Sequence, residues 1–162
     1  MISVALDPGK WKMGLAVFHD GVLRVACPVR VLKGRPWSET DAVNAVLRAA
    51  PEEAVRWDIE RPQVYRNTGR SSVQDDVEAL THLVDRLAHE LRPLGAEVHL
   101  HAPYAWKRSV PKKVHHRRLK AALSPKEAAL LVGLGDASLD VWDAVGIGLF
   151  ALGRVGVGGS RT

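Results

Sequence analysis

Three apolar runs open the chain in quick succession, Met1 to Leu6, Met13 to Phe18 and Gly21 to Leu32, with Asp7-Pro8-Gly9 and Asp20-Gly21 as the turn signals between them. Short turns of this kind predict an antiparallel meander, since a parallel pairing needs a crossover of about a dozen residues or more. The pattern then changes. Gly34 and Pro36 mark a loop, Ser38 can cap a helix over Glu39 to Ala50, and Pro51 ends it. Val55 to Glu60 reads as a fourth strand stopped by Arg61-Pro62, because proline restrains the residue before it and cannot continue the ladder. Val73, Val77, Leu80, Leu83, Val84, Leu87 and Leu91 recur at helical spacing and predict the longest helix over Ser71 to Leu91.

Ala96 to His101 reads as a fifth strand, closed by Pro103. A short helical or looped segment leads to Pro111, a helix is expected over Pro125 to Val132, and the last helix over Ser138 to Leu152. Strands that first follow one another and then alternate with helices predict an α/β fold: a five-stranded mixed sheet with helices on both faces. One domain is expected over residues 1–153, followed by a flexible glycine-rich tail over 154–162.

Composition narrows the class of partner. The 162 residues carry 23 Lys and Arg against 18 Asp and Glu, and the pI of 9.7 favours a polyanion, with nucleic acid first. A small-molecule substrate is not expected. The lone Cys27 excludes an internal disulfide framework and fits a reducing compartment. No apolar run is long enough to span a bilayer and no signal peptide is evident, so a soluble, cytoplasmic protein is expected.

Four carboxylates stand where chemistry is most easily placed. Asp7 ends the first strand at its turn, where it is also an ordinary turn former. Glu60 ends the fourth strand, with Asp58 on the same face as an alternative. Asp140 and Asp143 are three apart on the apolar stretch LDVWDAVGIGLFALG, about 60° apart around the helix axis. Like charges at that spacing repel, so they serve either as caps favoured by the helix dipole or as ligands of a shared cation. If the four converge, their repulsion calls for a divalent ion, and the chemistry becomes metal-dependent phosphodiester hydrolysis.

These same segments carry a resemblance. The Asp-Pro-Gly turn in VALDPGKWKMGLAVF, the strand end WDIERP and the terminal helix DVWDAVGIG resemble the RuvC-like Holliday junction resolvases of the ribonuclease H-like superfamily, over nearly the whole chain. The resemblance implies that Asp7, Glu60, Asp140 and Asp143 are catalytic metal ligands, with Asp7 bridging two Mg2+ ions and Mn2+ also supporting activity. It further implies a homodimer that resolves four-way junction DNA by paired cuts leaving 5′-phosphate nicks. Two departures stand out, a somewhat shorter chain and the loop RPQVYRNTGRSS after Glu60, which leave the sequence preference of cleavage open and suggest a phage or mobile-element version.

Basic residues supply the expected DNA surface. Lys107, Arg108, Lys112, Lys113, Arg117 and Arg118, with His115 and His116, form a stretch without an acid, and such a run gains affinity by displacing counterions from phosphates. Lys107 and Lys113 are the expected phosphate contacts nearest the scissile bond, and His116 is a further candidate. Arg61, Arg66 and Arg70 with Tyr65 form a second group, in which Tyr65 either stacks on an unpaired base or packs against the long helix. The adjacent histidines lack a third ligand at zinc spacing. Two alternatives accompany the resolvase reading: a related nuclease acting on RNA/DNA hybrid or branched DNA, and a DNA-binding protein on the same scaffold without catalysis.

Overall fold

The computed structural model describes residues 1–31, 36–63, 71–108, 110–134 and 138–155, the side chains of 71–74, 112 and 138 excepted. Strands β1 (Ile2–Asp7), β2 (Lys12–His19) and β3 (Val22–Arg30) form the expected meander, followed by α1 (Glu39–Ala49), β4 (Arg56–Glu60), α2 (Ser71–Leu91) and β5 (Glu97–His101). Four helices close the described chain: α3 (Pro103–Lys107), α4 (Lys112–Ala122), α5 (Pro125–Ala129) and α6 (Ser138–Ala151). The sheet order is β3-β2-β1-β4-β5, antiparallel among the first three strands and parallel from β1 through β4 to β5. None of the helices is long and apolar enough to cross a membrane, among the described residues.

Side-chain alternation divides the core into two layers. Val4 and Leu6 of β1, Met13, Leu15 and Val17 of β2, and Trp57 and Ile59 of β4 face α1 and α2. The intervening residues Ala5, Ala16 and Phe18 face α6 together with Trp106 and Leu119. By the same parity Asp7 follows Ala5 onto the α6 side, and Glu60 follows Asp58 there. Register completes the placement: Leu6 pairs with Ile59 in the parallel ladder, so Asp7 and Glu60 come out side by side at the carboxyl ends of adjacent strands.

Helix boundaries follow local chemistry. The Ser38 hydroxyl accepts the Asp41 backbone N–H to start α1. After α2 a single 3-10 turn over Arg92–Leu94 ends at Gly95, whose φ of 84° is the left-handed conformation glycine takes without strain. The helix expected to reach Val132 stops at Ala129 and continues as turns. Between Pro111 and Pro125, where no element is expected, α4 buries His115 and Leu119 one turn apart among the described residues. Cys27 is half-buried against the α1–α2 layer, a packing residue whose thiol burial pushes up.

Arg154 is the first residue of the stretch expected to form a tail, and it is firmly held. Its guanidinium donates to both Glu127 carboxylate oxygens at 2.6 and 2.9 Å, to the Gly21 carbonyl at 2.8 Å and to the Ala122 carbonyl at 2.8 Å. Glu127 also accepts the Leu23 and Ser124 backbone N–H groups, the latter as part of a capping box. Residues 156–162 lie outside the described residues.

This buried carboxylate generates a prediction. The Arg154 hydrogen bond, helped by the Leu23 and Ser124 amides and opposed by burial, holds the Glu127 carboxyl far below the usual range. A depressed folded pKa stabilises the fold above the unfolded value and loses that contribution as pH falls. Arg154→Ala should cost about 2–3 kcal/mol at neutral pH, a melting drop of roughly 5–10 °C, and the gap from the parent should narrow below the ordinary glutamate range. Thermal melts across pH check this; equal midpoints at neutral pH would refute the clamp.

Candidate active site

The last helix reaches the sheet closely enough to bring its acids to the strand ends, and Gly14 is the reason. A Cβ built on Gly14 would lie 1.9 Å from the Asp140 carbonyl oxygen and 2.7 Å from the Val141 nitrogen, so the backbone of β2 and that of α6 are in direct contact. Two glycines of α6 complete the fit. Gly146 lies under the Trp106 ring and Gly148 under the Phe18 ring, where a methyl group would stand 2.6 and 2.2 Å from ring carbons. Asp140 and Asp143 are thereby carried over the ends of β1 and β4.

All four expected carboxylates share one electrostatic environment. Burial pushes the Asp7 carboxyl well above the usual carboxylate range, repulsion from Glu60, Asp143 and Asp140 adds to it, and Lys107 opposes them. Burial likewise raises Glu60, against the pull of Lys107 and the Trp106 hydrogen bond. The Lys107 ammonium sits among them, 3.1 Å from Glu60 Oε2 and 3.7 Å from Asp143 Oδ2. Burial alone would lower the pKa of Lys107, but Glu60, Asp143 and Asp7 raise it, so the amine stays charged. Lys12 Nζ holds Asp140 Oδ2 at 3.0 Å.

Three contacts around these acids carry no signal in the linear chain. Trp106 Nε1 donates to Glu60 Oε2 at 2.9 Å, and the Lys107 ammonium lies 4.7 Å from the same indole's centre. His116 Nε2 stands 3.5 Å from Asp143 Oδ1, its ring stacked on Trp142. Asp58, the alternative to Glu60, is committed elsewhere. Burial would raise its pKa, yet His101 Nε2 at 2.8 Å and the Arg56 guanidinium at 2.8 and 3.1 Å hold it below the usual range.

Whether a cation suits this site can be judged from the donors. Hard carboxylate oxygens that repel one another are the donor set Mg2+ and Mn2+ take, and burial together with that repulsion raises the carboxyls of Asp7 and Glu60. Among the described residues no three acidic, histidine or cysteine groups already close around a single point. The Lys107 ammonium bridges Glu60 and Asp143 instead. The donor chemistry fits a cation.

The expected DNA-contacting residues divide. Lys107 lies within the carboxylate site, and His116 turns towards it. Arg108, Lys113, Arg117 and Arg118 are exposed, as is Arg61 beyond β4. The Lys112 side chain and all of Tyr65, Arg66 and Arg70 lie outside the described residues. Lys107, Arg108, Val110, His115 and Asp143 line a cleft of about 210 Å³ that leads from the basic segment to the acids.

Solved structures with this fold exist. The chain superposes on RuvC from Thermus thermophilus in complex with a Holliday junction substrate, with a TM-score of 0.58 and 21% identity over 92% of this chain and 90% of that one. A second T. thermophilus RuvC structure gives a TM-score of 0.58 and 18% identity, covering 95% of this chain and 98% of the other. No family model matches the chain, and no curated protein matches it in sequence. The fold is therefore the ribonuclease H-like fold of RuvC, as the sequence resemblance implies.

Two outcomes test the site. A raised carboxyl pKa costs the native state stability as pH rises from the unfolded value, 3.8, through the folded one. Without divalent ions, Asp7→Asn should therefore melt several degrees above the parent at neutral pH, with the difference gone below the unfolded value; a lower midpoint at neutral pH would contradict the crowding of charge. Gly14→Ala should cost about 1–3 kcal/mol by overpacking and, by moving α6, return the Asp7 carboxyl towards its ordinary range in carbon-detected NMR titration. An unshifted Asp7 in a folded Gly14→Ala protein would show that Gly14 does not set the site.

Proposed function

We propose that this chain is a divalent-cation-dependent endonuclease that, as a homodimer in the cytoplasm of a bacterium or phage-infected host, resolves four-way DNA junctions by paired cuts leaving 5′-phosphate nicks. The observation that carries the reading is the gathering of Asp7, Glu60, Asp140 and Asp143 around the strand ends on the fold of RuvC. RuvC of T. thermophilus is the protein solved with a Holliday junction substrate, which supports a branched-DNA substrate for this chain.

The residues divide the work. Asp7, Glu60, Asp140 and Asp143 would hold two Mg2+ ions, or Mn2+ in their place, and these supply Lewis-acid polarisation of the phosphate and a water of lowered pKa. Lys107 keeps its proton and offers a fixed positive charge at the acids, so it acts on charge developing at phosphate and not as a base. Trp106 fixes the Glu60 carboxylate and, buried over Gly146, keeps water from its far side. Arg108, Lys113, Arg117 and Arg118 present exposed charge that can track a phosphate backbone.

One observation favours a second reading. Lys107 and Lys12 already pair with Glu60, Asp143 and Asp140, as they would in a DNA-binding protein that never takes up a metal. A junction assay separates the two. In Mg2+ the parent should nick synthetic four-way junctions on opposed strands, while Asp7→Asn, Glu60→Gln, Asp140→Asn and Asp143→Asn lose about 10²-fold or more in rate yet keep junction binding in Ca2+ within a few-fold. Undiminished cutting by Asp7→Asn would refute the mechanism. Binding indifferent to divalent ions with no nicking would favour the non-catalytic reading, and preferred cutting of RNA/DNA hybrid would move the substrate.

A further inference from the structure

We infer that His116 supplies a nitrogen donor to the cation site beside Asp143, so that the site takes Mn2+ in preference to Mg2+. The inference rests on the cation-dependent reading above and adds a ligand to it that the basic character of the segment conceals.

His116 belongs to the basic run, yet it is placed apart from its neighbours. Lys113, Arg117 and Arg118 of α4 are exposed, whereas the His116 side chain is 19% exposed and turned towards α6. Its ring lies against Trp142, centroids 5.8 Å apart and planes 23° from parallel, which holds the imidazole beside Asp143. Its Nε2 stands 3.5 Å from Asp143 Oδ1, and the other Asp143 oxygen is 3.7 Å from the Lys107 ammonium.

That spacing is informative. Donors on neighbouring positions of one octahedral ion, each roughly 2.1 Å from it, stand about 3 Å apart. A hydrogen bond between imidazole and carboxylate would be shorter, near 2.8 Å, as it is between His101 and Asp58. At 3.5 Å the His116–Asp143 pair is at the upper edge of hydrogen bonding, and an approach of about 0.5 Å would let both atoms bind one cation. A neutral imidazole favours first-row transition ions, whereas Mg2+ holds to oxygen donors and its own waters. Adding one nitrogen to an oxygen set therefore moves selectivity towards Mn2+ with little change for Mg2+.

The experiment is Mn2+ binding to the DNA-free, full-length protein, followed by the free-ion EPR signal, with Mg2+ affinity obtained by competition. Parent, His116→Gln and His116→Phe are compared, and Mg2+ affinity doubles as the check that each variant is folded. Mn2+ affinity should fall roughly 10-fold in both variants while Mg2+ affinity stays within about threefold. Pulsed EPR of bound Mn2+ should show nitrogen coupling in the parent and none in either variant. Equal losses for both ions, or no nitrogen coupling in the parent, would mean that His116 only orients Asp143 and would overturn the inference. A parent that binds neither ion would overturn the cation-dependent reading itself, whereas binding of both ions with no change in selectivity would overturn this inference alone.

Discussion

Negative charge gathered at the carboxyl ends of β1 and β4 is the constraint on which this structure turns. Asp7 and Glu60 are placed together by strand register, and Asp140 and Asp143 are brought over them by a helix that touches the sheet backbone to backbone at Gly14. Burial, with mutual repulsion added, raises the carboxyls of Asp7 and Glu60. Two ammonium groups relieve part of it, Lys107 between Glu60 and Asp143 and Lys12 on Asp140. A compact core and an electrostatic deficit thus arise from the same close approach.

The contrast between Asp58 and Glu60 shows how position on a strand and chemical fate separate. Both face α6 from β4, two residues apart. Asp58 meets Arg56 and His101 under the far end of α6, where Arg56 also reaches the Ala151 carbonyl at 3.4 Å, and becomes a satisfied internal salt bridge. Glu60 emerges beyond the sheet, where its partners are a tryptophan N–H and a lysine shared with another acid. Partners, not burial, decide which carboxylate is left able to bind something else.

Much of this was legible in the chain. Strand ends announce themselves through Asp-Pro-Gly and Glu-Arg-Pro, and a pair of acids on an apolar helix stands out because its spacing costs energy without a cation. What stayed hidden depends on approach in three dimensions. Lys12 lies in a strand and Trp106 in a five-residue helix, and neither spacing nor composition assigns either to the site. The helix α4 escaped because its basic residues blur the apolar period, leaving His115 and Leu119 as its only fully buried positions among those described. A signal for the close fit did exist: Gly146 and Gly148 inside a helix are costly unless something packs where their side chains would be.

The two layers of the core carry unequal burdens. Every one of the four acids lies on the α6 side of the sheet, and the α1–α2 side contributes Val4, Leu6, Trp57 and Ile59 to a separate cluster with no part in holding them. The sheet is therefore a mechanical partition. A volume error under α1 or α2 is absorbed as lost cohesion, while one of the same size under α6 is transmitted straight to the four carboxylates. Half of the interior is thus free to be rebuilt with other apolar side chains of matching bulk, and the other half is not.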